Sequence, residues 1–146
     1  MIRKMNKKDF NDFLEMATIF YNSNAISGSV SDEAILYTFN NIVNDNPLIK
    51  GYIIEHNGNT AGFFIISFTF QTQYGKTVLL FEDMYIKPLY QGMSLGTKVF
   101  NYLEETYKDK VGAIKFEVSK ENIRAINLYK RLGYVENSYL NMIKEF

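Results

Sequence analysis

Apolar positions change their spacing several times along the chain, and each change predicts an element. Phe10, Phe13, Leu14, Ala17 and Phe20 or Tyr21 share one face at helical spacing, which predicts a helix over residues 7–23. Asn6 stands where an N-cap belongs, with Asp9 three residues on. Ile35, Phe39, Ile42 and Val43 form a second stripe over residues 32–45. Ser31 caps it, Asp32 and Glu33 suit the positive end of its dipole, and Pro47 bars its continuation. Residues 24–30 read as a loop between the two. The pattern then becomes that of strands, over residues 51–56, 60–71 and 77–87. Asn57-Gly58-Asn59 joins the first pair, because Asn-Gly accepts the positive φ angles of a type I′ turn. Tyr74-Gly75-Lys76 joins the second pair, giving an antiparallel meander.

Four-residue steps return at Leu95, Val99, Leu103 and Tyr107, a helix. Residues 111–118 read as a strand. Residues 122–132 read as a last helix, with Ala125, Leu128 and Leu132 on one face and Gly133 at the left-handed C-terminal position. Residues 134–143 complete the pattern as a further strand. A right-handed crossover makes 77–87 and 111–118 parallel neighbours. The expected fold is α/β (α+β): one domain over residues 1–146, with a mixed sheet and helices on both faces.

Composition narrows the chemistry. A chain of 146 residues has room for one core, and 11 Tyr and 12 Phe among 47% hydrophobic residues exclude a disordered chain. No Cys is present, which excludes a disulfide framework, a thiolate metal site and a cysteine nucleophile. The one His, His56, precedes the Asn-Gly turn and reads as a solvated hairpin residue, and no metal site is expected. Sixteen basic and sixteen acidic residues balance, so no nucleic-acid partner is indicated. The longest apolar stretch, residues 61–70, is half of the ~20 residues that span a bilayer. No targeting segment is visible, so a cytoplasmic protein without a membrane partner is expected.

The most informative stretch is Tyr90-Gln91-Gly92-Met93-Ser94-Leu95-Gly96-Thr97, between a strand end and a helix start. Small residues there leave main-chain N–H groups uncovered at the positive end of a helix dipole, which suits a pyrophosphate. Gly92 to Gly96 is one residue short of a Walker loop, and two glycines fall short of a dinucleotide fingerprint. An ordinary strand-to-helix turn fits the same stretch equally well.

The surrounding sequence resembles the GNAT superfamily of acyl-CoA-dependent N-acetyltransferases. That family carries [Q/R]-x-x-G-x-[G/A] after its fourth strand. Here the pattern falls on Gln91, Ser94 and Gly96, with Ser94 in place of the first motif glycine. Phe81-Glu82-Asp83-Met84-Tyr85-Ile86-Lys87-Pro88 is similar to the fourth strand, and Phe116-Glu117-Val118 to the fifth. Asn127-Leu128-Tyr129-Lys130-Arg131-Leu132-Gly133-Tyr134 is the most specific part, similar to the fourth helix. The likeness spans nearly the whole chain, and the Glu82-Asp83 pair is similar to that of spermidine/spermine-type acetyltransferases.

The resemblance implies acetyl transfer from acetyl-CoA, a co-substrate, to a primary amine by direct attack. Coenzyme A would be held by Gln91, Gly92, Met93, Ser94, Leu95, Gly96 and Thr97 at the pyrophosphate. Along the splayed strand, Met84, Tyr85 and Ile86 would hold it, with Asn122 and Tyr129 at its arm. Glu82 is the candidate base and Tyr129 the candidate acid. Tyr129 also adjoins an apolar stripe, where a core role fits, and Asn122 also suits a helix cap. Strand alternation puts Glu82 and Asp83 on opposite faces, one of them toward the amine. Ile26, in the 24–30 loop, is a further candidate at the acceptor side. The expected partner is a small amine, polyamine-like or amino-acid-like. A peptide N-terminus or lysine as acceptor, a coenzyme A-binding module without catalysis, and a homodimer remain open at this point.

Overall fold

A computed structural model describes residues 1–24, 26 and 28–146; of the expected 24–30 loop, Ala25 and Ser27 lie outside the described residues. The sheet runs in chain order: β1 (Ile2–Lys4), β2 (Ile49–His56), β3 (Asn59–Gln71), β4 (Lys76–Ile86) and β5 (Ile114–Lys115). Every neighbouring pair is antiparallel except β4 and β5, which are parallel as the crossover predicts. Consecutive residues of β2 and β3 send side chains to opposite faces, and both faces are covered. That is why residues 61–66 read as an unbroken apolar run. Ile53, Phe63 and Ile65 bury against α1 (Phe10–Tyr21) and α2 (Asp32–Val43) through Phe13, Met16, Phe20 and Phe39. Ile54, Phe64 and Ile66 bury on the other face against α3 (Leu95–Tyr107) through Val99, Phe100 and Leu103. The partly buried Tyr129 of α4 (Ile123–Arg131) and Leu132, its C-cap, close that second cluster. Each such fully buried large side chain stabilises the fold by roughly 1.5–3 kcal/mol.

The local signals act as expected. Asn6 and Asp9 form a reciprocal capping box, although the turn they cap, Lys7–Asp9, is 3₁₀ before α1 begins. Ser31 Oγ accepts from the Ala34 N–H at 3.1 Å. Asn57 and Gly58 have φ of 49° and 78°, and Gly133 has 88°.

One strand is added and two expectations are corrected. Ile2–Lys4, too short to show alternation, pairs with β2 as an edge strand. The strand expected over 111–118 is only Ile114–Lys115, because its neighbour β4 bulges beyond Leu80 and the ladder ends there. Residues 134–143 form no strand: β5 is too short to offer a ladder, and Leu140 and Met142 stand exposed. Asn141 Nδ2, donating to Glu117 Oε1 at 2.6 Å, ties that segment to the chain after β5.

Candidate active site

The site is built where β4 leaves β5. Leu79 and Leu80 pair with Ile114 and Lys115, and no pairing to β5 extends past Leu80. On its other side β4 stays paired with β3, but the register slips: Ile65 faces Asp83 while Ile66 faces Phe81, so Glu82 is the extra residue of a bulge. The bulge changes which way the following groups point. The Lys87 N–H donates to the Ala61 carbonyl, so alternation turns the main-chain groups of Tyr85 and Asp83 toward β3 as well. Those of Met84 and Ile86 are turned to the open edge. Tyr85 offers no open amide there, unlike the expectation. Its ring instead packs near Phe20 and Phe63, on the α1 side.

The same bulge corrects the expected placement of the two carboxylates. Glu82 accepts a short hydrogen bond from Ser67 Oγ, and Asp83 Oδ2 accepts from the Tyr21 hydroxyl at 2.6 Å. Ser67 follows Ile65 on the α1–α2 face of β3, and Tyr21 ends α1. Both carboxylates therefore lie on the α1 side, because the bulge breaks strict alternation. Burial raises the Asp83 carboxyl above the usual carboxylate range; the Tyr21 hydrogen bond opposes this, and the Glu82 charge adds to it. Burial, with the charge of Asp83 beside it, also drives the Tyr21 phenol upward, so it stays a donor. Tyr21 and Ser67 were missed from the sequence. Tyr21 carried only the signal of a hydroxyl on an apolar stripe, and Ser67 only that of a polar break in the 61–70 run. Ile26 is half-buried against the α1–α2 cluster.

The opposite side of the gap holds the loop. Pro88–Tyr90 makes one 3₁₀ turn, and the Gln91 side-chain amide then donates to the Ile86 carbonyl at 3.1 Å. That bond fastens the loop to the open edge of β4. Gly92 has φ of 81°, and Ser94 enters α3 in the left-handed conformation, φ 59° and ψ 21°, with no side-chain cap. Among the described residues, none of the N–H groups from Gly92 to Thr97 donates to another group of the protein. Gly92, Met93 and Ser94 are exposed, whereas Leu95 and Gly96 are buried. A Cβ on Gly96 would come within 3.2 Å of Leu128 Cδ2 and 3.6 Å of Met84 Cε. Gly96 is thus where the start of α3, the open edge of β4 and α4 meet.

On α4, Asn122 Oδ1 caps Ala125 N at 3.2 Å. The Tyr129 ring packs on Phe116 and Phe100, with centroids 4.4 and 5.1 Å away. Burial raises its phenol, and its hydroxyl makes no hydrogen bond among the described residues. The core and site readings of Tyr129 are therefore compatible: the ring is packed and the hydroxyl is unpaired. No group of three or more metal-ligating side chains occurs among the described residues, and no helix there is long and apolar enough to cross a membrane.

A carboxylate pair thus lies on one side of a split sheet, and uncapped amides with a phenol lie on the other. The acetyltransferase (GNAT) family model matches residues 11–134. The thialysine N-epsilon-acetyltransferase of Mus musculus is 29% identical over 90% of this chain and 82% of that protein. That of Bos taurus is 36% identical over 50% of this chain and 43% of its own length. The chain thus spans less than half of the bovine relative it matches. Among solved structures, aminoglycoside N-acetyltransferase AAC(6')-Iy in complex with CoA aligns over 99% of this chain and 93% of its own, with TM-score 0.80 at 16% identity. A possible acetyltransferase from Clostridium difficile 630 aligns over 100% of this chain and 97% of its own, with TM-score 0.85 at 16% identity. With a family model covering most of its length, the chain belongs to the GNAT acetyltransferase family.

Proposed function

We propose that this protein transfers an acetyl group from acetyl-CoA to the primary amine of a small cationic molecule. The observation that carries the reading is the gap between β4 and β5, with Glu82 and Asp83 on one side and the uncapped 92–97 amides on the other. Uncovered amides at a helix start suit the diphosphate of coenzyme A. The open main-chain groups of Met84 and Ile86 offer an extended arm the hydrogen bonds of an added strand. An N–H there also suits the oxygen of a thioester under attack.

The acceptor enters from the acidic side. A primary amine is protonated at neutral pH, with a pKa near ~10.4. Glu82 and Asp83 hold the cation, and Glu82, exposed to solvent, takes the proton and passes it to water. The amine nitrogen then bonds to the thioester carbon, the carbon–sulfur bond breaks, and the Tyr129 hydroxyl gives a proton to the departing thiolate, while the second proton that the nitrogen sheds on becoming an amide returns through water to the Tyr129 oxygen. No covalent enzyme intermediate is needed, in keeping with a chain that has no Cys. A small acceptor is favoured by the relatives' printed substrates, thialysine and aminoglycosides, which are cationic amines.

The test is thiol release from acetyl-CoA with a panel of thialysine, polyamines, aminoglycosides and a short peptide. We expect turnover with a small cationic amine. Glu82→Gln should lower kcat by about a hundredfold while acetyl-CoA still binds. Acetyl-CoA binding without turnover on any amine, or full activity in Glu82→Gln, would overturn the assignment.

A further inference from the structure

A second groove of about 500 Å³ lies at the far end of the molecule. It borders Thr77, at the start of β4, and the C-terminal turn of α3, whereas the transfer site borders the opposite ends of both elements. The 13-residue length of α3 alone separates them by about 20 Å. The groove is therefore separate from the transfer site.

Its chemistry is specific. The Lys50 ammonium stands 5.2 Å from the centre of the Phe68 ring and 5.6 Å from that of Tyr107. The Lys110 ammonium stands 5.6 Å from the same Tyr107 ring. Two cations thus converge on one aromatic ring. Neither has a carboxylate within ion-pairing distance among the described residues, where both ion pairs belong to Arg3. The floor is fixed before any ligand arrives. Tyr107 is 5% exposed and its hydroxyl is held by that of Tyr52 at 2.9 Å, while the Phe68 N–H is bonded to the Leu48 carbonyl. The rim, by contrast, is apolar and wet: Leu48 is 62% and Phe70 65% exposed. Thr69 and Thr77 complete the lining.

We propose that this groove is a binding site for a small aryl carboxylate. The carboxylate would sit between the Lys50 and Lys110 ammonium groups, and the ring would cover Leu48 and Phe70. The volume falls within the range of small-molecule sites, about 300–1,000 Å³. A free anion such as phosphate would satisfy the lysines but leave the apolar rim in water. A neutral arene would do the reverse. Only a ligand carrying both groups meets both demands, because removing apolar surface from water and pairing two cations that have no carboxylate partner are separate gains.

The test is calorimetric titration with 3-phenylpropionate, with 3-phenylpropanamide and propionate as arms that lack the charge or the ring. We expect saturable binding of 3-phenylpropionate, weakened by salt and by at least about tenfold in Lys50→Gln or Lys110→Gln. Phe70→Ser, at an exposed position, should weaken it too, and thermal melts check that all three variants stay folded. Affinity for acetyl-CoA should be unchanged in each, which separates this site from the transfer site. Equal binding of the amide, equal binding of propionate, unchanged affinity in both lysine variants, or no saturable binding would each overturn the proposal.

Discussion

The Tyr21 hydroxyl donates to Asp83 Oδ2 at 2.6 Å and so fastens the last turn of α1 to the bulged end of β4. The bond favours the ionised carboxylate against burial and the nearby Glu82 charge. Tyr21→Phe removes that donor, so the Asp83 carboxyl should rise further. We expect the acid limb of kcat/KM against pH to move to higher pH, with a KM for the amine raised several-fold. Acetyl-CoA affinity, set on the other side of the gap, should not change. An unmoved acid limb would remove Asp83 from acceptor binding.

Asp83 also makes a stability prediction of a specific sign. Its folded carboxyl lies above the ordinary value of about 3.9, so the native state binds the proton more tightly than the unfolded chain does. Stability from this group is therefore greatest at low pH and declines as pH rises from the unfolded value through the folded one. Asp83→Asn should raise Tm at pH 7, and the gain should vanish below about pH 4. Activity should fall in the same variant, the usual cost of relieving a strained functional group. Melts of the two proteins between pH 3 and pH 7 give the check.

Ser94 explains a departure from the family pattern. The position where the motif has glycine adopts φ 59°, a conformation open to glycine and costing other residues roughly 1 kcal/mol. Ser94→Gly should raise Tm by a few degrees while keeping acetyl-CoA binding, since the main-chain N–H is retained. Ser94→Val, branched at Cβ and forced into the same conformation, should lose both stability and binding. Equal melting temperatures across the three proteins would show that the turn is not held at this angle.

Much of this was legible in the sequence, and the exceptions share a cause. Ser31, Asn6, Asn57-Gly58 and Gly133 act through neighbours a few residues away, so their roles can be read from spacing. The split between β4 and β5 entered through resemblance alone, because no local pattern encodes the end of a ladder. Glu82 and Asp83 were singled out, but their shared face was missed. A bulge depends on the register with Ile65 and Ile66, 16 or more positions away. Tyr21 and Ser67 were missed for the same reason: their partners lie 62 and 15 residues on. Residues 134–143 carry a strand pattern, yet the short β5 offers them no ladder.

Gly62 tests whether the path of β4 matters to the site. A Cβ there would overlap the Tyr85 carbonyl oxygen, a main-chain atom that cannot rotate away. Gly62→Ala must push β4 outward at the residues that flank its open edge. We expect a loss of about 2–4 kcal/mol and a drop in kcat at saturating amine. Gly112→Ala serves as control. Its Cβ would meet the Tyr74 side chain at 2.9 Å, and the groove between α3 and β5 lies away from the gap, so it should lose stability with kcat unchanged.

Arg3 ties the N-terminal strand β1 to the capping box and to β2, and its pairing with Asp9 shapes how the fold responds to acid. Arg3 forms a two-pronged pair with Asp9, at 2.9 and 2.8 Å, and reaches Glu55 Oε1 with Nε at 2.6 Å. Asp9 Oδ2 also accepts from the Asn6 N–H, so one carboxylate joins β1, the capping box and, through Arg3, β2. The Asp9 side chain is 8% exposed and that of Arg3 33%, so solvent reaches only one partner. The Arg3 hydrogen bonds hold the Asp9 carboxyl below its ordinary value, despite burial. Stability from Asp9 is therefore present above the unfolded value of about 3.9 and lost as pH falls through the lowered folded value. Asp9→Asn should cost about 2 kcal/mol at pH 7, less than a fully buried pair because Arg3 keeps contact with water and with Glu55. Its Tm should fall by roughly 4–8 °C at pH 7, and the gap to the parent protein should begin to shrink below about pH 4 and close as pH falls through the lowered folded value. A Tm difference that stayed constant down to pH 2 would mean that packing, and not the ionised carboxylate, holds β1 in place.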